Sequence, residues 1–290
     1  GAYNTPEHQR IARQIADEAI VLLKNEGILP LEQSATKTLA VVGANATRKH
    51  AGAGGSSQVK AFYEVTPLVG LQNLLGESTA ITYAEGYTVS REGGSNADLI
   101  AAAVAQVKNA DAAIYVGGWI HGFSDEWNDN AYDAEATDKA SMELPFGQDE
   151  LIEALLAANP NTVIVLMGGG PIDMRKWQGK AKSIVQAWYP GMEGGNALAD
   201  ILFGKINPSG KLPMTFPVKL EDSPAHKLAV TGFESLEQNY TDGSFVGYRY
   251  FDTYQVEPAF AFGHGLSYTT FGYENLTVTK GGETVTVSLD

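Results

Sequence analysis

The 290-residue sequence contains no cysteine, which excludes disulfides, thiolate catalysis and cysteine-ligated zinc. It has no apolar run of the roughly 18 residues that a membrane helix needs, so we expect no membrane partner. Basic residues are scarce: 20 Lys and Arg stand against 34 Asp and Glu. The resulting net charge of −14 disfavours nucleic acids and anionic lipids as partners.

Several catalytic patterns are absent as well. There is no Gly-x-Ser-x-Gly nucleophile elbow and no zinc-type histidine pair, so we expect neither a serine triad nor a metal or other cofactor. A glycine-rich run at 52–57 follows the first predicted strand, as a phosphate-binding loop would, but Gly-Lys-Ser/Thr is missing. A nucleotide-binding, flavodoxin-like domain therefore stays only an alternative.

Helical and strand-like apolar patterns alternate along the chain. They predict helices at 6–25, 67–75, 96–108, 148–158 and 195–203, and strands at 38–43, 80–83, 112–117, 162–167, 183–188 and 211–216. Such βα repetition is typical of an α/β fold with a mostly parallel sheet flanked by helices, an α/β sandwich. Ligands of such sheets bind at the carboxyl ends of the strands.

The C-terminal end has a different pattern. Two alternating segments, 277–279 and 284–289, flank Gly281-Gly282 and predict a β-hairpin. Because a lone hairpin is only marginally stable in water, we expect it to be the start of a further β domain.

A long loop at 119–146 combines carboxylates with large aromatics, a mixture typical of sugar-binding sites. The candidate substrate-binding residues are Trp119, Phe123, Trp127 and Tyr132 in this loop, with Lys49 and His50 ahead of the glycine-rich run. A solvated acidic loop whose aromatics pack back on the domain is the alternative. A calcium site is a weaker one, because the oxygen-ligand spacing of a calcium loop is missing.

Longer motifs carry a family resemblance. They are EAIVLLKNE at 18–26, TPLVGL at 66–71, WYPGMEGGNA at 188–197, NPSGKLP at 207–213 and FGHGLSY at 262–268. On these motifs the chain resembles the carboxyl-terminal half of family-3 glycoside hydrolases, which include many β-glucosidases, glucan exohydrolases and β-xylosidases. The resemblance implies a TIM-like barrel carrying an Asp nucleophile, this α/β sandwich, and a fibronectin-III-like domain.

The same resemblance divides the chain into four parts. It implies an N-terminal linker helix at 1–30, the sandwich at 31–217, a return segment at 218–268 that would contact the barrel, and the first strands of a truncated fibronectin-III-like domain at 269–290.

The resemblance also implies a general acid/base, the Glu of a Glu-x-Glu-Gly-x-Asp-Arg pattern. In this sequence it maps onto Glu135, with Leu144-Pro145 and Gln148 following as in the family. Asp133, Ala136 and Lys139 depart from the pattern, so Glu126 is the second choice.

The implied function is part of a retaining, exo-acting β-glycoside hydrolase that removes terminal β-D-glucosyl residues. The expected partners are a β-linked glucoside or oligosaccharide, the barrel of the same enzyme and a second copy in a homodimer. We expect the chain alone to be inactive, and a secreted or periplasmic location rather than a cytoplasmic one. The departures in the acid/base pattern motivate the alternative, a non-catalytic carbohydrate-binding or scaffold module.

Overall fold

The structure is a computed structural model that describes residues 2–50, 59–124, 131–134, 139, 141–227 and 240–290. The strands are β1 (Val21–Asn25), β2 (Thr38–Val42), β3 (Ala80–Ala84), β4 (Ala112–Gly118), β5 (Val163–Met167), β6 (Ser183–Gln186), β7 (Thr277–Gly281) and β8 (Thr284–Ser288). The α-helices are α1 (Pro6–Ala19), α2 (Pro67–Leu75), α3 (Ala97–Lys108), α4 (Gln148–Ala158), α5 (Gly194–Leu202), α6 (Pro224–Lys227) and α7 (Tyr248–Thr253).

Six strands form the main sheet in the order β1-β6-β5-β4-β2-β3. All neighbouring pairs are parallel except β1 and β6, which are antiparallel. The predicted α/β fold with a mostly parallel sheet is therefore confirmed.

Each face of the sheet carries its own apolar core, because successive side chains of a strand point to opposite faces. In β2, Ala40 and Val42 belong to the core beneath α3 and α4. Leu39 and Val41 belong to the core beneath α1, α2 and α5. Helices thus cover both faces of the sheet, which is the sandwich arrangement.

The helix predicted at 6–25 is wrong beyond residue 19, since α1 ends at Ala19. Val21–Asn25 is instead an edge strand that pairs with β6. A short apolar run has no periodicity that distinguishes a buried strand from a helix. Pairing with a strand some 160 residues later decided the outcome.

The strand predicted at 211–216 is also wrong. Leu212 and Phe216 are buried, as a strand pattern requires. Their backbone N–H groups donate to His264 and Phe260, respectively, in an irregular antiparallel contact rather than in the main sheet.

The predicted C-terminal hairpin is confirmed. β7 and β8 pair in antiparallel register around a turn at Gly282 and Glu283, and φ at Gly282 is +60°, in the left-handed region that favours glycine. Every residue of the two strands is exposed. In the part of the chain that the structure describes, no helix has the length and hydropathy to cross a bilayer.

Candidate active site

The loops that follow β2, β4, β5 and β6 meet at the carboxyl edge of the parallel sheet, where ligands of α/β folds bind. The structure describes five of the candidate site residues there: Lys49, His50, Trp119, Phe123 and Tyr132. Glu126, Trp127 and Glu135 lie outside the described residues, and so their roles stay predictions.

The carboxylate of Asp133 is bound by donors from three segments. Its Oδ2 accepts hydrogen bonds from the Gly169 backbone N–H at 2.8 Å and from the Tyr189 hydroxyl at 2.6 Å. Its Oδ1 forms a 3.0 Å ion pair with Lys139 Nζ. Asp133 thereby ties the loop after β4 to the loops after β5 and β6.

The backbone around Asp133 is held just as firmly. Its N–H donates to the carbonyl of Ile120 at 3.1 Å, and its own carbonyl lies 2.8 Å from Nδ1 of His121. The N–H of Ala131 donates to the carbonyl of His121 at 2.7 Å. The segment 131–134 is therefore fixed against the first residues of its own loop.

Three successive glycines after β5 make this close packing possible. A Cβ added at Gly168 would lie 3.1 Å from the Trp119 ring, and one at Gly169 would lie 3.3 Å from Asp133 Oδ2. These distances are shorter than ordinary van der Waals contacts. A side chain at either glycine would therefore push against the Trp119 ring or the Asp133 carboxylate.

An aromatic cluster lies beside the Asp133–Lys139 ion pair. Trp119 is buried, with Lys139 Nζ 5.2 Å from its ring centroid. Tyr132 contacts both Trp119 and Phe123, at centroid distances of 6.2 and 5.7 Å. Tyr132 is 38% exposed, which leaves an aromatic surface accessible to a ligand. The Trp119 indole N–H has no hydrogen-bond partner in the described part of the chain.

Two histidines pack against Tyr189 on the other side. The His121 and His50 rings lie 3.6 and 5.5 Å from the Tyr189 ring, centroid to centroid. Burial, with His121 and Arg48 nearby, lowers the pKa of His50 to about 3, and burial also lowers the pKa of His121. Burial and the Asp133 carboxylate raise the pKa of Tyr189 well above its ordinary value. All three rings are therefore neutral near neutral pH.

The candidate Lys49 and its neighbour Arg48 lie just before the glycine-rich run, and a substrate-binding role for Lys49 stays a prediction. Lys49 is exposed. Its neighbour Arg48 reaches the long loop instead and donates a 2.7 Å hydrogen bond to the carbonyl of Gly122.

Gln148 fixes the end of β4, from which the long loop departs. Its Oε1 accepts from the Tyr115 hydroxyl at 2.5 Å and the Gly118 N–H at 2.7 Å. Its Nε2 donates to the carbonyls of Gly118 and Pro145 at 2.8 and 2.9 Å. One fully buried amide thus joins both ends of the loop to the sheet.

Sequence reasoning did not select Asp133, Tyr189 or Gly169 as site residues. In the sequence, Asp133 stands out only as a departure from a motif, and Tyr189 only as part of the WYPGMEGGNA motif. The three glycines after β5 were the one available signal. Within the described ranges, no three His, Asp or Glu side chains are grouped so as to hold a metal ion.

The comparisons with known proteins agree in one family. The family model of the glycosyl hydrolase family 3 C-terminal domain matches residues 20–268. The chain is similar to beta-glucosidase BoGH3A of Bacteroides ovatus, with 44% identity over 94% of this chain and 38% of the relative. It is similar to thermostable beta-glucosidase B of Acetivibrio thermocellus, with 40% identity over 96% of this chain and 35% of the relative.

Solved structures give the same result. A crystal structure of a GH3 beta-glucosidase from Bifidobacterium adolescentis superposes with a TM-score of 0.85 at 34% identity, covering 99% of this chain and 40% of that one. A beta-glucosidase from Kluyveromyces marxianus in complex with glucose gives a TM-score of 0.80 at 26% identity, covering 95% and 50%. The chain thus spans half or less of the length of each of these proteins.

Proposed function

The chain belongs to glycosyl hydrolase family 3, whose C-terminal domain it matches over residues 20–268, and on this premise we propose that it is part of a retaining, exo-acting β-glycoside hydrolase. The proposed reaction is hydrolysis of terminal β-D-glucosyl residues. The observation that supports it best is the 3.0 Å ion pair of Asp133 with Lys139 at the carboxyl edge of the sheet. These two residues bracket the proposed acid/base in the sequence.

We assign the general acid/base to Glu135, with Glu126 as the second candidate. In the first step the acid gives its proton to the glycosidic oxygen while a carboxylate attacks the anomeric carbon and the bond to the leaving group breaks. In the second step the same residue takes a proton from water, which then releases the sugar from the enzyme. The attacking Asp would belong to the barrel that the family resemblance implies.

Asp133 itself is a poor candidate for the acid. Its carboxylate already binds an ammonium, a phenol and a backbone N–H. Both of its carboxylate oxygens are thus occupied by donors within the protein, whereas a general acid must present an oxygen to the substrate. The proposed role of Asp133 is to anchor the loop that carries Glu135.

The aromatic cluster is the proposed leaving-group subsite. Phe123 and Tyr132 present the apolar surface on which the C–H face of a sugar or an aryl group can stack, and the buried Trp119 packs against Tyr132. Trp127 is proposed as a further member of the subsite.

The test is Glu135→Ala in the complete protein, measured with two aryl β-glucosides that differ in leaving-group ability. A proton donor matters most for a poor leaving group, so we expect a loss of roughly 10²-fold or more with the poor one and a much smaller loss with the good one. Glu143→Ala, at an exposed carboxylate in the same loop, is the matched control.

Two other outcomes would contradict the assignment of the acid/base role to Glu135. Small, equal effects of Glu135→Ala on both substrates would move the acid role to Glu126, to be checked with Glu126→Ala. Full activity in both variants would instead favour a carbohydrate-binding or scaffold module.

The proposal also implies that this chain is inactive without the barrel. Turnover of an aryl β-glucoside by a pure preparation of the 290 residues alone would contradict that part of the proposal.

A further inference from the structure

Two aromatic residues beside the candidate active site have an unusual backbone conformation. The φ angle is +57° at Trp188 and +66° at Phe146, both in the left-handed region. Bulky side chains rarely adopt this region, because their Cβ approaches the carbonyl oxygen too closely. Strain of this kind persists only where the surroundings impose it, and it concentrates at functional sites. Trp188 directly precedes Tyr189, and the Phe146 ring contacts Tyr132 at a centroid distance of 5.7 Å.

Contacts with three segments hold Trp188 in this conformation. Its indole N–H donates a 3.0 Å hydrogen bond to the carbonyl of Ala19, the last residue of α1. Its ring packs at nearly a right angle to Phe216, with 6.1 Å between the centroids. Its own carbonyl accepts a 3.4 Å hydrogen bond from the Gly168 N–H after β5. The end of α1 therefore helps to fix a backbone position next to the candidate site.

The left-handed residue decides where Tyr189 lies. Side chains of an extended strand alternate between the two faces of a sheet, so a straight continuation of β6 would put Tyr189 on the face of Ala187. Ala187 belongs to the core beneath α1, α2 and α5. The Tyr189 hydroxyl instead donates to Asp133, in the loop after β4, and its ring lies 3.6 Å from that of His121. The turn at Trp188 thus directs Tyr189 into the candidate site.

We propose that Trp188 is a positioning residue for the proposed reaction. Held by Ala19, it sets Tyr189 against Asp133. Asp133 in turn lies two residues before Glu135, the proposed acid/base. The catalytic meaning rests on the proposed function. The geometric part concerns only Trp188, Tyr189 and their contacts, and it can be tested without catalysis.

The test variant is Trp188→Phe, which keeps a ring but removes the hydrogen-bond donor to Ala19. Tyr268→Phe is the matched control. The Tyr268 hydroxyl donates a 2.8 Å hydrogen bond to the carbonyl of Ile201 in α5. Both substitutions therefore remove one side-chain bond to a helix carbonyl, and only one of them lies next to Tyr189.

The geometric part is tested by NMR on the histidine-labelled 290-residue chain. The ring signals of His121 report the position of the Tyr189 ring, because an aromatic ring this close shifts the signals of its neighbour. We expect the His121 signals to move in Trp188→Phe and to stay in Tyr268→Phe. Unchanged His121 signals in Trp188→Phe, or equal changes in both variants, would overturn the proposal.

Kinetics of the complete protein test the catalytic part, with an aryl β-glucoside that has a poor leaving group. Misplacing a catalytic group lowers kcat more than it weakens substrate binding, so Trp188→Phe should lower kcat by roughly tenfold and leave KM nearly unchanged. Tyr268→Phe should change neither constant. A rise in KM with unchanged kcat, or equal losses of kcat in the two variants, would overturn the positioning role.

A double variant shows whether Trp188 acts through Tyr189. In the Tyr189→Phe background, the loss of kcat caused by Trp188→Phe should disappear, because the bond that Trp188 positions is already gone. Independent losses that multiply would overturn the proposal.

If Trp188→Phe fails to fold, Trp188→Gly and Trp188→Ala take its place. Both lack the indole, but glycine tolerates the left-handed region, so Trp188→Gly should retain several-fold more kcat than Trp188→Ala. Equal kcat in the two variants would overturn the role of the backbone conformation.

Failure of the proposed function would be seen separately. If the complete protein hydrolyses no aryl β-glucoside, the proposed function is wrong. A shift of the His121 signals in Trp188→Phe, absent in Tyr268→Phe, would still support the geometric part.

Discussion

The hydroxyl of Tyr189 donates a 2.6 Å hydrogen bond to the carboxylate of Asp133, 56 residues earlier in the chain. Tyr189 follows β6 and Asp133 lies in the loop after β4, so this bond crosses the position of β5 in the sheet. It is the contact that closes the candidate site on the histidine side.

Tyr189→Phe should therefore lower stability by about 1.5–3 kcal/mol, because a hydrogen bond to a charged acceptor is lost in a partly buried position. Urea unfolding measures the change. Tyr63→Phe is the matched control, since Tyr63 donates to Glu193 at 2.5 Å on the exposed surface. We expect a smaller loss there, and an equal loss in both variants would contradict the anchoring role of Asp133.

Gln148→Leu, at the first residue of α4, should strongly destabilise the protein. The substitution keeps the volume but leaves buried groups of Gly118, Tyr115 and Pro145 without partners. Each such group costs about 1–3 kcal/mol, so we expect at least ~3 kcal/mol in total. Thermal or urea unfolding tests this against Gln72→Leu, at an exposed position of α2. A loss of stability of similar size in Gln148→Leu and Gln72→Leu would refute this prediction.

The packing of α2 on α5 requires glycine at two positions. A Cβ at Gly70 would overlap the carbonyl of Gly195, and a Cβ at Gly195 would overlap the carbonyl of Thr66. Gly70→Ala should thus force the helices apart and cost about 1–3 kcal/mol. Gly179→Ala, which has open space around it, is the control and should be neutral. A neutral Gly70→Ala would show that the helix pair shifts without cost.

The free energy of unfolding should decrease as the pH is lowered, because His50 is buried in its neutral form. Its pKa is about 3 in the folded protein and 6.5 ordinarily, so the unfolded chain binds the proton more readily. The contribution of neutral His50 to the free energy of unfolding is fully present above pH 6.5 and is lost as the pH falls toward 3. Between pH 6.5 and pH 5 this amounts to roughly 2 kcal/mol.

The measurement is urea unfolding at several pH values. His50→Asn should flatten the dependence below pH 6.5, whereas His8→Asn, at an exposed position, should leave it unchanged. An unaltered slope in His50→Asn would assign the pH dependence to other groups.

Much of the fold could be predicted from local signals. Helix α2 begins where Thr66 caps it and Pro67 fills its first turn, and it ends at Gly76, where φ is +55°. Asn96 caps α3 in the same way. Such signals act within a few residues, so sequence reasoning identifies the elements without knowing their neighbours.

In the candidate site, too, only the residues marked by local sequence signals could be predicted. Trp119, Phe123 and Tyr132 were predictable because they lie in one loop directly after a strand. Gly169 and Tyr189 were not, because they reach Asp133 only through the order β6-β5-β4 in the sheet.

What the sequence by itself determined is the alternation of helices and strands, the family, and the loop that carries the candidate chemistry. Only the tertiary structure decided that Val21–Asn25 is a strand and that Asp133 is the anchor of the site. The physical reason is the same for both. Strand pairing of Val21–Asn25 and the hydrogen bonds of Gly169 and Tyr189 to Asp133 act over a few ångströms in space, between residues that the sequence separates by 36 to 165 positions.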